Sequence, residues 1–456
     1  MNSTLPASST SDTCGPRLVS PRELSHCAQE AIHIPEAIQG YGALLVCETS
    51  SGRVVRHSEG LEQWLTVPAS GAIGQSATDL LGQPASAWDD WCEQTLNQAG
   101  TMVGQVAGRT PHPKLELMVH HVPASKPPLV VLEMIPDWAP TGAEQEDVAL
   151  LGKLTRSTRA LRDTTSVDSF VQSSVKALQG FLKYDRVMLY RFEPDWSGEV
   201  LAEATAPGVD QRFMGQRFPA SDIPAQAREL YTRNLLRVIA DIDAAPVALA
   251  PPLDGLAAPL DQSHCLLRQP SSMHVAYLRN MSVRATLTIS LLHEGRLWGM
   301  LACHHHEPRV PPQHQRHSVL VACELIANTL ISKLDSLLQV EMLERMHKAD
   351  TTMTALEHML GQLPQADQRW REFETTAAML TGADHIFGKL HGQRWGIPGL
   401  SDASLLELEN RLAACPPGTP VSTDSIVDWG WEPARATPQM VGLLAVSPTG
   451  TPDTYL

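Results

Sequence analysis

No stretch of the 456 residues holds eighteen uninterrupted apolar side chains, the run a membrane-spanning helix needs. The first ten residues, Met1-Asn-Ser-Thr-Leu-Pro-Ala-Ser-Ser-Thr, lack the basic-then-apolar pattern of an export signal. A cytoplasmic protein is the expectation. Cysteine is sparse and irregular: Cys14, Cys27, Cys47, Cys92, Cys265, Cys303, Cys323 and Cys415 include no C-x-x-C pair. Such thiols read as reduced and mostly buried as small hydrophobes. Positive charge is the minority sign, with 35 Lys and Arg against 50 Asp and Glu and a formal charge of −15. That balance argues against nucleic acid or an anionic membrane as partner. Internal repeats are absent too, which removes solenoids and arrays.

What is present suits several ordinary cores: 43% of residues are hydrophobic, over a length that fits about two to four domains. Residues 1–20 are rich in Ser, Thr and Pro and read as a mobile tail. From Cys27 the pattern becomes strand, turn, strand across Gly42–Cys47, Ser51-Gly52 and Arg53–Arg56, with a further strand pair at Leu115–His121 and Leu129–Ile135. A helix at Ala87–Gln98 completes a small α+β domain over residues 21–138, bounded by the Pro-rich run at 136–142.

A helix at Glu144–Leu161 opens a second domain over residues 143–335. Tyr184–Phe192 alternates as a strand, with Val187 and Leu189 on one face and Met188 and Tyr190 on the other. Residues 241–270, with Pro246, Pro251, Pro252 and Pro259 and no periodicity, read as a long irregular connection of the kind that usually has a function. Val283–Leu291 alternates again, setting Thr286 and Thr288 opposite Ala285, Leu287 and Ile289. Glu294-Gly295 then turns the chain into Leu297–His304. A two-residue turn would pair His304 with Ala285, whereas a three-residue loop with a bulge would pair it with Thr286. Both registers stay open. Past Pro311-Pro312 a helix of about residues 313–360 is too long for one globular core, and a third α+β unit follows within 336–456.

Arg217-Phe-Pro-Ala-Ser-Asp-Ile-Pro224 stands out as a polar corner bracketed by prolines, with Ser221 and Asp222 where a helix would start. By itself it is a strand, a tight turn and a capped helix, a cap contributing only about 1 kcal/mol. Together with Tyr184–Phe192, Met273–Met281 and Leu297–His305, in that order, it resembles the photosensory core of the bacteriophytochromes. The resemblance implies an α+β chain of PAS and GAF domains joined by a figure-of-eight knot, then a long helix and part of a GAF-like PHY domain. It also implies a red/far-red photoreceptor that holds biliverdin and signals by 15Z/15E isomerisation.

In that family the pigment is joined by a thioether to a cysteine six residues before the His of Ile-His-Ile-Pro, which falls on Cys27. The resemblance gives Arg237 and Arg268 to the two propionates, helped by Tyr231, Ser271, Ser272, Thr286 and Thr288. It gives the Asp222 backbone carbonyl to the pyrrole nitrogens and its side chain to the signalling state, His274 to the same region and His304 to the ring D carbonyl. Tyr190, Phe218, Tyr231 and Tyr277 would wall ring D, joined by Phe213, with Met273, Ile223 and Pro224 beside them, and Ile38 would lie inside the knot. A metal at His304-His-His306 is disfavoured, because consecutive strand residues point to alternate faces.

Two departures from the family pattern lie near the knot: Glu36 stands where Gly is usual, and Gly40-Tyr41 where Pro-His is usual. The chain also stops before the PHY hairpin that normally reaches the aspartate, and no kinase follows, so no enzymatic activity is expected. A homodimer through the GAF surface and long helix is implied. The competing reading is a GAF module for another small molecule, such as a nucleotide, held by Arg237, Arg268 and the Thr face.

Overall fold

The computed structural model describes residues 30–66, 71–96, 101–112, 114–122, 125–136, 152, 161, 164–252, 258–309, 317–362, 365–390, 392–395, 401–423, 426 and 442–446. The N-terminal tail, Cys14, Cys27 and all but two residues of the helix expected at Glu144–Leu161 lie outside these. Two units emerge, residues 1–338 and 339–456.

The first unit begins with β1 (Ala37–Ile38), β2 (Ala43–Glu48), β3 (Val54–Ser58), α1 (Ala77–Leu80), α2 (Ala87–Thr95), β4 (Thr101–Ala107), β5 (Lys114–His121) and β6 (Leu129–Pro136). It continues with α3 (Val167–Leu182), β7 (Arg186–Phe192), β8 (Gly198–Thr205), β9 (Arg217–Phe218), α4 (Ala225–Arg233), β10 (Leu236–Ile239), β11 (Val247–Ala250), α5 (Ser272–Asn280), β12 (Ala285–His293) and β13 (Arg296–His305). The long helix α6 (His317–Gln362) leads out of it.

Strand β2 is apolar along its length because both its faces are covered. Ala43, Leu45 and Cys47 pack with Trp88 and Trp91 of α2, while Leu44 and Val46 on the other face join a core that includes Phe170 and Val171 of α3. A period of two thus sends alternate residues of one strand into two different cores. The second core extends across the first turns of α6 through Leu320, Cys323, Ile326, Leu330, Leu334 and Leu337, the three-and-four spacing of a buried helix stripe. The two domains therefore share hydrophobic interior.

They are also interlocked through backbone. The first sheet runs β1-β11-β3-β2-β6-β5-β4, so a strand from the middle of the 241–270 connection is inserted between two strands near the N-terminus. The expectation of an irregular connection is corrected here: Val247–Ala250 is a strand, hidden because its four residues lie between prolines and its pairing is entirely non-local. Ile38 pairs with Val247 on one edge and bridges to Arg268 on the other. Gln39 N–H donates to Leu267 O at 2.7 Å, and its side-chain amide reaches Val238 O at 2.9 Å and accepts from Ala240 N–H at 3.1 Å. Both arms of one connection thus grip residues 37–39.

Glu36 has φ 55°, a left-handed conformation that glycine adopts freely and glutamate does not. Its side chain compensates: one oxygen accepts from Leu260 N–H at 2.7 Å and the other meets the Arg56 guanidinium at 2.6 Å. Tyr41 is buried in the shared core with no hydrogen-bond partner for its hydroxyl among the described residues.

The second sheet runs β10-β12-β13-β7-β8-β9, with α3 packed on one face. The β12–β13 hairpin combines features that the sequence reading treated as alternatives. Glu294 and Gly295 form a two-residue turn with φ 49° and 75°, and the register then shifts between Leu291 and Leu292, leaving Trp298 as an extra residue. The bulge sets His304 opposite Thr286.

The second unit holds α7 (Ala366–Thr381), the pair β14 (Gly388–Leu390) and β15 (Gln393–Trp395), α8 (Asp402–Ala413), and the pair β16 (Pro420–Thr423) and β17 (Leu443–Val446). Its small core gathers Leu408, Leu412, Ile426, Leu443 and Ala445. No described helix is long and apolar enough to cross a membrane.

Ile38 is fully buried between the arms. Ile38→Ala is expected to cost about 3 kcal/mol, and Ile38→Val about 1, by lost burial and cavity formation. Urea unfolding monitored on the first unit checks this; equal midpoints for wild type and Ile38→Ala would show that the arms close without it.

Candidate functional site

The face of the second sheet turned away from α3 forms the floor of a cavity of about 460 Å³. Alternate strand residues supply it: Met188 and Tyr190 from β7, Thr286 and Thr288 from β12, and Met300, Ala302 and His304 from β13. The walls are α4, α5, the turn at 219–224 and residues 268–271, and Ile32 closes in from the N-terminal side.

The turn differs from a simple helix cap. Pro224 is itself the N-cap of α4, its carbonyl accepting from Ala227 and Arg228 N–H. Ala220–Asp222 forms a separate single turn, and neither Ser221 nor Asp222 caps the helix. Relieved of capping, the Asp222 carboxylate accepts instead from the Tyr277 hydroxyl at 3.4 Å. Partial burial raises the Asp222 pKa, and the Tyr277 hydrogen bond opposes that rise. Behind the turn, the Arg228 guanidinium donates to Ile223 O at 2.6 Å and Ala220 O at 3.3 Å, and lies 4.6 Å from the Trp196 ring.

Ser271 starts α5, its hydroxyl accepting from His274 N–H at 3.2 Å. Helical spacing then brings Met273, His274 and Tyr277 to the cavity. His274 is held neutral: burial, with help from Arg237 and Arg268, pushes its pKa down to about 4. Burial, with Arg186 next, takes His304 down to about 3. His304 Nδ1 has no partner among the described residues. Its neighbours His305 and His306 turn away to Asp185, at 2.6 and 2.9 Å. The three rings therefore do not converge on one point.

Arg237 and Arg268 are each 8% exposed, far from a solvated surface. Arg237 donates to Arg268 O at 2.6 Å, and Arg268 donates to Ile32 O at 2.7 Å. Among the described residues neither has a carboxylate within 4.0 Å. Burial, with Arg237 next, lowers the Arg268 pKa to about 9. Two buried guanidiniums facing one cavity create a demand for anions.

Opposite them stands an aromatic wall. Tyr190 meets Phe192 edge-on at 5.2 Å and lies 6.1 Å from Phe218. Gly198 makes this possible, since a Cβ there would fall 2.0 Å from the Tyr190 ring. Buried Arg186 pairs with Glu203 at 2.9 Å and lies 4.4 Å from the Phe213 ring.

Of the residues singled out from sequence, Asp222, His274, His304, Arg237, Arg268, Tyr231, Ser271, Thr286, Thr288, Tyr190, Phe218, Ile223, Pro224, Tyr277 and Met273 line this cavity together. Two do not. Ser272 is exposed on the first turn of α5, and Phe213 stands one layer back, 6.2 Å from Phe218. Cys27 lies outside the described residues. Sequence reading missed Met188, Met300, Ala302 and Val200; the first three share a strand face with residues it did pick, and that alternation was the available signal.

Residues 166–330 match the GAF domain family and residues 27–132 the PAS fold. The chain is 34% identical over 360 residues to a bacteriophytochrome of Xanthomonas campestris pv. campestris, covering 75% of this chain and 53% of the relative. A bacteriophytochrome of Pseudomonas aeruginosa is 31% identical over 325 residues, covering 70% and 42%. The crystal structure of bacteriophytochrome RpBphP3 from R. palustris superposes with a TM-score of 0.76 at 26% identity, covering 94% of this chain and 85% of that one. The chain belongs to the bacteriophytochrome family. It spans about half the length of the curated bacteriophytochromes it matches. The cavity just described thus belongs to a bacteriophytochrome.

The buried neutral histidines make a pH prediction. Unfolded His304 takes a proton near its ordinary pKa of 6.5, whereas the folded site resists until about 3, so acid favours the unfolded chain. Stability present at pH 7 is lost as pH falls through 6.5, by about 2 kcal/mol at pH 5 from this residue. Urea unfolding at several pH values should show His304→Gln losing that much less between pH 7 and 5. An unchanged slope would mean that His304 is not held neutral.

Proposed function

We propose that the chain is a red/far-red light receptor whose cavity holds biliverdin, linked covalently through Cys27. The observation that carries this reading is the pair of buried, carboxylate-free arginines at one side of a largely apolar cavity. A linear tetrapyrrole brings two carboxylates and a long conjugated apolar body, which answers both features. One of the similar solved structures is titled the chromophore-binding domain of an unusual bacteriophytochrome from R. palustris, with a TM-score of 0.58, 29% identity and 69% of this chain covered.

When bound, the pigment supplies light absorption and a double bond that changes between 15Z and 15E. The chain does the rest. Arg237 and Arg268 neutralise the carboxylates, with the hydroxyls of Tyr231, Ser271, Thr286 and Thr288 nearby to hold orientation. His274 and His304, kept neutral, offer one donor or acceptor nitrogen each without competing for charge. The Asp222 backbone carbonyl would accept from pyrrole N–H groups, while its carboxylate, which accepts from the Tyr277 hydroxyl, would balance a cationic pigment and serve the signalling state. Tyr190 and Phe218 bound the space in which a ring can turn. Ile32, five residues after Cys27 in sequence, lines the cavity. The exposed Val340, Met342, Leu343 and Met346 of α6 suit a second copy of the chain, making the receptor a homodimer.

Mixing the full chain with biliverdin should give a long-wavelength visible band that reverses partly or fully under alternate red and far-red light. After denaturation the pigment should stay with wild type and leave Cys27→Ala. Arg237→Ala and Arg268→Ala should each weaken uptake at least tenfold. A chain that stays colourless, or that binds a nucleotide with the same arginines, would overturn the reading in favour of a different GAF ligand. Gly198→Ala changes no polar contact but displaces the Tyr190 ring, and is expected to shift the band or slow photoconversion. An unaltered spectrum and rate would place that ring away from the pigment.

A further inference from the structure

Outside the cavity, three side chains with metal-binding atoms converge: His120 on β5, Glu133 on β6 and Cys265 in the connection that precedes Arg268. One donor atom of each lies within 4.8 Å of the other two, and all three residues are buried, at 1%, 0% and 1% exposure. We propose that this cluster is a zinc-type metal site that fastens the connection to the first sheet.

The separations suit a small tetrahedral centre. Cys265 Sγ lies 3.3 Å from His120 Nε2. Zinc bonds of about 2.3 Å to sulfur and about 2.0 Å to nitrogen set such atoms about 3.5 Å apart, so the pair needs to open only slightly. The Glu133 oxygens accept from Leu266 and Leu267 N–H at 3.0 and 2.7 Å. Each oxygen keeps a further lone pair, and bonds of this kind aim a ligating carboxylate.

Charge also fits. A thiolate and a carboxylate cancel a divalent cation, and the imidazole adds nothing, so the filled site is neutral in a place water does not reach. Cys265 Sγ approaches Nε2 of the His120 ring, while Nδ1, on the other edge, faces a Glu133 oxygen at 3.9 Å, beyond hydrogen-bond length. His264 flanks the site, its ring 6.1 Å from that of His120 and its Nδ1 without a hydrogen-bond partner among the described residues, but its nitrogens stand outside the three-residue cluster. Sulfur and imidazole donors favour zinc over magnesium or calcium. Binding exchanges the Cys265 thiol proton for the cation and releases that proton to solvent.

The test uses the full chain without pigment, stripped by chelator under reducing conditions, with Co²⁺ as probe and Zn²⁺ as competitor. One Co²⁺ per chain should bind with a thiolate-to-cobalt absorption band, and one equivalent of Zn²⁺ should remove that band and raise the melting temperature. Cys265→Ser should lose the band, whereas Cys92→Ser should keep it. Glu133→Gln, compared by circular dichroism to confirm folding, should keep the band and bind at least tenfold more weakly. A folded wild type with no thiolate band, a band that survives Cys265→Ser, or cobalt bound only by surface histidines such as His306 would overturn the proposal. None of these readouts depends on biliverdin, so the photoreceptor reading stands or falls separately.

Discussion

The structure depends on the backbone grip that the 241–270 connection closes around residues 37–39. Those residues hydrogen-bond to β11 on one edge and to residues 267–269 on the other, and the Gln39 amide reaches across to β10. Strand β10 carries Arg237, and the second edge carries Arg268. The cationic wall of the cavity is therefore set by an N-terminal segment that contributes little of its lining. Shared apolar packing alone would leave the two domains free to slide by a side chain; directional backbone bonds on both edges do not permit that.

This coupling explains how two arginines can sit buried without carboxylate partners. An isolated buried cation is costly, and proteins keep one only where the fold over-determines its position or a ligand completes it. Here the guanidiniums spend part of their donor capacity on backbone carbonyls at 266, 268 and 32, groups that the interlock holds in place. Glu133, beneath them, directs its oxygens at the 266–267 backbone rather than at either arginine. Burial takes its pKa up to about 7, with the two backbone bonds and the charges of both arginines opposing that rise. The positive character of the wall is left for something that enters the cavity.

Much of this was legible in the sequence wherever a local period meets a local consequence. The alternation of β7 and β12 separated core-facing from cavity-facing residues correctly, and the helical spacing of His274 and Tyr277 did the same for α5. The failures have physical causes. The register of His304 depends on a bulge at Trp298, and nothing in the order of residues distinguishes a bulge from a longer loop. Strand β11 has no alternation of its own and exists only because partners distant in sequence offer it two edges. Phe213 was placed one layer too far forward because aromatic content says nothing of depth. Glu36 read only as a departure; its positive φ, and the two bonds that compensate for it, appear only in three dimensions.

The turn carrying Asp222 shows how local and distant effects meet. In sequence it looks like a helix cap, and a capping aspartate would be tied to backbone N–H groups and unavailable for anything else. Pro224 takes the cap position, and Arg228, stacked near Trp196, ties down the carbonyls on the back of the turn. The backbone is fixed from behind while the carboxylate has, among the described residues, one hydroxyl partner at a long 3.4 Å. A group held by a single weak bond on a rigid mount can change partner without the mount moving. That arrangement suits a site that must respond to small displacements in the cavity, because the energy of exchanging one hydrogen bond is small while the surrounding frame stays put.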